Sequence, residues 1–253
     1  MILEKFRLDG KVAVVTGAGR GLGQGAAVGF AEAGADVALA DLISTDDTAR
    51  RVRALGRRAC QIPANLLERD SAQRIVETTV KELGGVDILL NNAGIIRRAP
   101  VLEFTEKDWD EVIQINESAV FFLSQAAARQ MVKQGRGGKI INIASMLSFQ
   151  GGIRVPSYTA SKSAVMGLTR LLANELAPHH INVNAVAPGY MATDNTAALR
   201  ADAQRNAEIL ARIPAGRWGD PEDLQGTLIF LASAASDYVT GYTVAVDGGW
   251  LAR

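Results

Sequence analysis

Seven short stretches rich in Val, Ile, Leu and Ala, at 12–15, 37–40, 58–62, 86–90, 139–143, 182–187 and 243–246, punctuate the chain, and helix-length stretches separate them. Runs that are apolar at consecutive positions, rather than at alternate ones, belong to strands buried on both faces, as in a parallel sheet. A parallel pair needs a crossover of a dozen or more residues between its strands. The amphipathic stretches 71–83 and 109–133 are long enough to be such crossovers, and they would cover both faces of the sheet. The pattern predicts an α/β fold: a single doubly wound Rossmann-type domain over residues 1–253, with a seven-stranded parallel sheet. No proline-rich, serine-rich or repetitive linker marks a second domain. Residues 188–218 break the rhythm, with no strand pattern and a helix-like 196–211 in their middle. A loop of this length reads as a substrate loop or lid.

Lys and Arg total 27 and so do Asp and Glu, so no net charge draws the protein to nucleic acid or an anionic membrane. An anionic ligand has to be gripped locally. The one cysteine, Cys60, cannot close an intrachain disulfide, which suits a reducing compartment. Glu4, Lys5, Arg7 and Asp9 interrupt the first ten residues, and no later apolar run reaches the roughly 18 residues needed to cross a bilayer. The expectation is a cytoplasmic protein.

Directly after the first strand comes Thr16-Gly17-Ala18-Gly19-Arg20-Gly21-Leu22-Gly23, then an Ala-rich helical stretch. Glycines let a backbone approach a pyrophosphate, and a helix N-terminus offers unpaired N–H groups and the positive end of its dipole. The spacing is T-G-x-x-x-G-x-G rather than G-x-G-x-x-G, because Leu22 fills the last glycine position of the latter. By itself such a turn is equally a tight strand-to-helix connection. Asp41 ends the second strand about 20 residues on, where a carboxylate accepts from ribose hydroxyls and repels a 2′-phosphate. Arg20 argues the other way, since it could pair with that phosphate or simply face solvent. The carboxylate carries more weight, so the expected cofactor is NAD, with NADP less favoured.

Pro156-Ser-Tyr158-Thr-Ala-Ser-Lys162 reads as the start of a helix, with Tyr158 and Lys162 on one face. A neighbouring ammonium favours the phenolate, which would fit Tyr158 to exchange a proton with an alcohol or a carbonyl. Alone, such a pair is an ordinary feature of helix surfaces. Ser145 follows the strand at 139–143 and so falls at the carboxyl edge of the sheet, where open α/β folds bind ligands. Asn92 and Asn116 fall at the ends of neighbouring elements. Each of these three could equally be a cap or a turn former.

Taken together, residues 16–23, Asn91-Asn92-Ala93-Gly94, Asn116, Ser145, Tyr158, Lys162 and Pro188-Gly189 resemble the short-chain dehydrogenase/reductase family in order and spacing, over essentially the whole chain. The resemblance implies that Tyr158 is the general acid/base, that Ser145 orients the substrate oxygen, that Lys162 binds the nicotinamide ribose, and that Asn116 anchors a proton-relay water. It implies cofactor contacts from Gly17, Gly19, Arg20, Gly21, Leu22, Gly23 and Asp41. Asn65 and Leu66 would flank the adenine, Asn92, Ala93 and Gly94 the adenosine and ribose, and Pro188, Gly189, Met191 and Thr193 the nicotinamide. Asn65 departs from the aspartate of many members.

Within that family, residues 91–98, 144–158 and 246–253 are similar to members that interconvert a secondary alcohol and a ketone on a deoxy sugar acid, in the breakdown of pectin and related polyuronides. Arg154, between Ser145 and Tyr158, could hold the carboxylate of such a substrate by a two-pronged contact, and Arg97 with Arg98 could add a second cationic wall. Arg98 alone reads more readily as solvated or as a subunit contact, and Arg217 as structural. His179 and His180 have no further ligand cluster nearby in sequence, so no metal is expected. The alternatives are a reductase of another carbonyl, a 4-deoxy-5-hexoseulose uronate or a 3-oxoacyl thioester, or a dinucleotide-binding sensor without catalysis. The apolar stretches 118–133 and 157–177, together with the resemblance, imply a homotetramer.

Overall fold

A computed structural model describes all residues from Met1 to Arg253. Seven strands form one sheet: β1 (Val12–Thr16), β2 (Asp36–Asp41), β3 (Ala59–Pro63), β4 (Ile88–Asn91), β5 (Gly138–Ile143), β6 (Ile181–Pro188) and β7 (Thr243–Val246). Every pairing is parallel, and the order is β3-β2-β1-β4-β5-β6-β7. The order reverses between β1 and β4, and such a switch point opens a crevice at the carboxyl ends of the strands.

Nine helices complete the fold: α1 (Gly21–Glu32), α2 (Asp46–Ala54), α3 (Ser71–Leu83), α4 (Glu106–Ile113), α5 (Ala119–Gln134), α6 (Pro156–Leu176), α7 (Ala197–Ala201), α8 (Ala203–Arg212) and α9 (Glu222–Ala232). Successive β1 side chains point to opposite faces and both faces are filled. Ala13 and Val15 pack with Ala27 and Phe30 of α1 and Leu224 and Leu228 of α9. Val12 and Val14 pack with Ile75 of α3, Leu123 and Met131 of α5 and Leu172 of α6. The inner strands β1, β2, β4, β5 and β6 are buried at nearly every position because both their faces are covered, whereas the edge strands β3 and β7 stay partly exposed. Helix α1 can lie close on α9 because Gly25 and Gly29 face it: a Cβ there would come within 2.8 Å of Pro221 Cβ and 2.9 Å of Gln225 Cγ.

Below the site a buried amide ladder joins the two central strands to the helices that cover them. Asn91 Nδ2 donates to Ser124 Oγ at 2.9 Å and to Asn142 Oδ1 at 2.8 Å, and Asn142 Nδ2 donates to Thr169 Oγ1 at 3.0 Å. At the opposite, amino-terminal rim, the buried Asp87 accepts from Val12 N at 2.9 Å and from Arg136 Nε at 2.6 Å.

Two expectations change in detail. The stretch 109–133 is not one α-helix, because a π-helical turn at Gln114–Ser118 separates α4 from α5. The helix expected over 196–211 is split between α7 and α8 at Asp202, whose backbone is extended and whose carboxylate caps α8 by accepting from Arg205 N at 3.0 Å. A capping aspartate competes with helix continuation, and periodicity does not register that.

Replacing Asp87 with Ala leaves the Val12 N–H and the Arg136 guanidinium without their acceptor, at a cost of about 3 kcal/mol. The expected result is a lower urea midpoint with catalytic constants unchanged, because the residue lies at the rim remote from the site; an unshifted midpoint would contradict this account of the rim.

Candidate active site

The carboxyl ends of the strands open into a cavity of about 1080 Å³. That is at or above the upper end for single small-molecule pockets, so there is room for a dinucleotide and a substrate together. Its walls come from the segments that follow β1, β2, β3, β4, β5 and β6.

At one end lies the glycine turn. Gly17 and Gly21 have φ of 66° and 56°, a region that L side chains rarely adopt. A Cβ at Gly23 would run into the carbonyl oxygen of Gly17, and one at Gly17 would come within 2.9 Å of Asn92 Nδ2. The absence of side chains keeps the turn tight and brings the N-terminus of α1 bare to the cavity. Asn92 holds the turn to β4: its Nδ2 donates to Thr16 O at 2.9 Å and Gly17 O at 3.2 Å, while Thr16 Oγ1 accepts from the N–H groups of Asn92 and Ala93, each at 3.0 Å. A glycine cradle on a helix N-terminus has the donors and the clearance a pyrophosphate requires, so these residues fit a dinucleotide.

Asp41 also faces the cavity, and it is already engaged, accepting from Gly19 N at 2.8 Å and Ile43 N at 3.1 Å. A carboxylate has roughly four acceptor sites, so capacity remains for ribose hydroxyls. Arg20 is not merely solvated, since it pairs with Asp194 at 3.1 Å and so links the glycine turn to the 188–218 segment. Asn65 and Leu66 line the cavity after β3.

At the other end, Tyr158 and Lys162 lie one turn apart on α6, and Ser145 lies two residues beyond β5. The Ser145 hydroxyl is oriented by accepting from Leu147 N at 3.1 Å and stands close to the Tyr158 phenol. Burial raises the phenol above its usual value; the nearby Ser145 hydroxyl and the positive charge of Arg98 oppose that without reversing it. The ammonium of Lys162 was expected to lower the phenol. It instead donates to Ile143 O at 2.6 Å, with Nζ 5.7 Å from the centre of the Tyr158 ring. Lys162 is itself buried, and the loss of hydration pushes it down to about 8.

Asn116 is fully buried in the π-helical turn. Its Oδ1 accepts from Ile95 N and its Nδ2 donates to Ile95 O, both at 2.9 Å, with Ser161 Oγ at 3.3 Å. The side chain thereby fixes the strand-end loop against α6. π-helical turns of this kind recur at functional sites.

Some expected site residues are not on the cavity wall. Gly19 contributes its N–H to Asp41, and a Cβ on it would meet Ile43 and Ser44. Pro188 is buried as the last residue of β6, and Met191 packs into the core against Gly219, leaving Gly189, Tyr190 and Thr193 to face the cavity. Arg97 is turned away: it pairs with Glu111 at 2.8 Å and Asp108 at 3.5 Å on α4. Arg98 is the member of that pair that faces the cavity, together with Arg154. Arg154 holds a φ of 64°, unusual for a residue that carries a Cβ, and its carbonyl accepts from Ala99 N at 3.1 Å. Arg217 is structural as expected, paired with Asp223 at 2.6 Å. Sequence reasoning gave no role to Gln150 and Arg212, which also line the cavity; Gln150 lies within the 144–158 stretch, whereas Arg212 stands in no motif and reaches the Ser145 loop only through the folding of α8.

A parallel doubly wound sheet, a glycine cradle at its switch point and a Ser-Tyr-Lys cluster beside it define a nucleotide-dependent oxidoreductase, and the chain belongs to the short-chain dehydrogenase/reductase family. A family model described as enoyl-(acyl carrier protein) reductase matches residues 17–251. A 2-dehydro-3-deoxy-D-gluconate 5-dehydrogenase of Dickeya dadantii (strain 3937) is 64% identical, with all of both chains covered. Among solved structures, a gluconate 5-dehydrogenase of Burkholderia cenocepacia in complex with NADP and tartrate is 41% identical with a TM-score of 0.94, each chain fully covered. Another, named as a candidate 2-deoxy-D-gluconate 3-dehydrogenase from Agrobacterium tumefaciens with bound NADP, is 55% identical with a TM-score of 0.94, covering 98% of this chain and 99% of that one. The protein is a dinucleotide-dependent oxidoreductase acting on a CH–OH group, and no helix is long and apolar enough to cross a membrane.

Because Lys162 is held at about 8 rather than 10.5, the folded protein binds fewer protons than the unfolded chain between those values. The burial penalty, on the order of 3 kcal/mol, is present in full below pH 8 and fades as pH rises towards 10.5. Lys162→Met is therefore expected to be more stable than the wild type at pH 7, less the lost hydrogen bond to Ile143, with the difference shrinking from pH 8 to 10. Denaturant midpoints across that range test it; a difference constant with pH would refute the buried charge.

Proposed function

We propose that the protein interconverts a secondary alcohol and a ketone on a deoxy sugar acid, the activity for which the Dickeya dadantii relative is named, with NAD(H) as the preferred cofactor. One observation carries the reading. The Ser145-Tyr158-Lys162 cluster and the glycine cradle face one cavity whose wall also bears Arg98, Arg154 and Arg212, arginines that pair with no carboxylate of the chain. Uncompensated guanidinium groups beside a reacting centre suit a small anionic substrate.

In this reading the Tyr158 phenol donates its proton to the ketone oxygen on reduction, and its phenolate takes the hydroxyl proton on oxidation. Ser145 donates to the same substrate oxygen and fixes the angle of approach. Lys162, held by Ile143 O, presents its remaining N–H groups to the nicotinamide ribose and places positive charge below the phenol. Asn116 locks the π-helical turn and so the water that would relay protons from Lys162. A bound nicotinamide supplies or accepts the hydride. Residues 188–218 act as a lid, tied to the cradle through Asp194 and Arg20. Asp41 disfavours a 2′-phosphate by charge, and Arg20 is already committed to Asp194, so both contacts lean towards NAD. The exposed Phe122 on α5 and Leu171 on α6 suit a homotetramer paired through those helices, working in the cytoplasm on acids from polyuronide breakdown.

A spectrophotometric screen of NADH and NADPH against keto sugar acids, a 4-deoxy-5-hexoseulose uronate and a 3-oxoacyl thioester tests the proposal. Turnover should be fastest with a deoxy sugar acid and NADH; turnover confined to the thioester, or none at all, would end it. Tyr158→Phe should bind NADH normally and lose about 10³-fold in kcat, because no other group donates to the substrate oxygen with a suitable pKa. Asp41→Ala should improve kcat/KM for NADPH relative to NADH by on the order of tenfold, and an unchanged ratio would free Asp41 of any part in cofactor choice.

A further inference from the structure

Helix α8 ends on Arg212, whose guanidinium is held at two points, neither of them a carboxylate. It stacks on Trp250 with its central carbon 4.0 Å from the ring centroid, and Nη2 donates to Gln150 Oε1 at 3.3 Å. The backbone beneath is also fastened: Arg253 donates from Nε to Arg212 O at 3.1 Å and from Nη2 to Ala211 O at 2.6 Å. Trp250 is 4% exposed, packs with Met146, Ile209 and Ile213, and meets Tyr190 edge-on at 4.8 Å. Its Nε1 has no hydrogen-bond partner, so what the indole contributes here is its face. A tryptophan face is the best of the aromatic platforms for a guanidinium.

The other cationic side chains of the cavity are less suited to hold an acid in place. Arg20 and Arg205 are neutralised by Asp194 and Glu208. Arg154 stands on an exposed loop with no hydrogen bond or ion pair from its side chain, so binding would have to freeze it. The charge of Arg98 is felt at the Tyr158 phenol, which assigns it to the reacting end. In a six-carbon sugar acid the carboxylate is several carbons from the alcohol carbon, so its partner stands away from Tyr158. Arg212 meets both conditions: it is ordered before any ligand arrives, with N–H donors left for a two-pronged contact, and it lines the shared cavity beside Gln150 and Trp250, while the charge felt at the Tyr158 phenol is that of Arg98.

We propose that Arg212, carried on the face of Trp250, is the specificity-determining residue that binds the substrate carboxylate. The inference rests on the sugar-acid reading above.

The test compares kcat/KM for a keto sugar acid and for its methyl ester in the wild type, Arg212→Gln, Arg212→Lys, Trp250→Phe and Arg154→Ala. Arg212→Gln should lose roughly 100-fold on the acid, chiefly in KM, and less than about 3-fold on the ester, with the Kd for dinucleotide unchanged. Arg212→Lys should recover part of the loss, since it restores the charge without the planar fork. Trp250→Phe should raise KM for the acid while sparing kcat, and Arg154→Ala should cost less on the acid than Arg212→Gln. Equal losses on acid and ester, or an acid preference that survives Arg212→Gln, would overturn the assignment while leaving the sugar-acid reading standing. A wild-type enzyme that treats ester and acid alike would overturn that reading, and this inference with it.

Discussion

One side-chain amide keeps the two halves of the cavity in register. Asn92 leaves the end of β4 and gives both its N–H groups to the carbonyls of Thr16 and Gly17, while Thr16 Oγ1 takes two backbone N–H groups from the β4 side. The glycines of the turn have no side chains with which to hold it, so the turn leans on this cross-strand clasp and on Asp41 on the other flank. Everything else at the site is measured from that frame. Gly94, two residues on, lies so close to Asn116 and Lys162 that a Cβ there would come within 3.2 Å of Asn116 Oδ1 and 3.7 Å of Lys162 Nζ.

The energetic burden of the site falls on Lys162. Burial strips its hydration, and a single carbonyl, that of Ile143, replaces part of it. The phenol above is buried as well, and its proton is held more tightly than in water. Two groups that resist charging thus sit together in a cavity whose wall also carries positive charge. That is a common way to keep proton-transfer groups poised, and stability is given up at the site while the doubly covered core supplies it elsewhere.

The architecture was legible in the chain because a doubly covered strand leaves a continuous apolar run that a one-faced strand does not. All seven strands fall where the runs predict, with ends shifted by no more than two residues. Motif-borne residues were equally legible: Gly17, Gly21, Gly23, Asn92, Ser145, Tyr158 and Lys162 meet at one cavity. Where the cavity wall differs from the expected set, the cause is common. Arg97 and Arg98 are adjacent and chemically identical, and only the carboxylates of α4 decide which of the two turns outward. Met191 and Pro188 sit within a cofactor-facing segment, yet their side chains point into the core, leaving Gly189, Tyr190 and Thr193 on the wall.

By itself the sequence determined the strand-helix alternation, the placement of a glycine turn before the first long helix, and the one-turn spacing of Tyr158 and Lys162, because periodicity and backbone sterics act over a few residues. Tertiary structure alone decided the charges of the site. Whether an arginine is neutralised, as Arg20 and Arg97 are, or left without a carboxylate, as Arg98 and Arg212 are, depends on groups brought from distant parts of the chain. The downward shift of Lys162 was settled in the same way, since desolvation is a property of how the elements close over a side chain and has no signature in its neighbours along the chain.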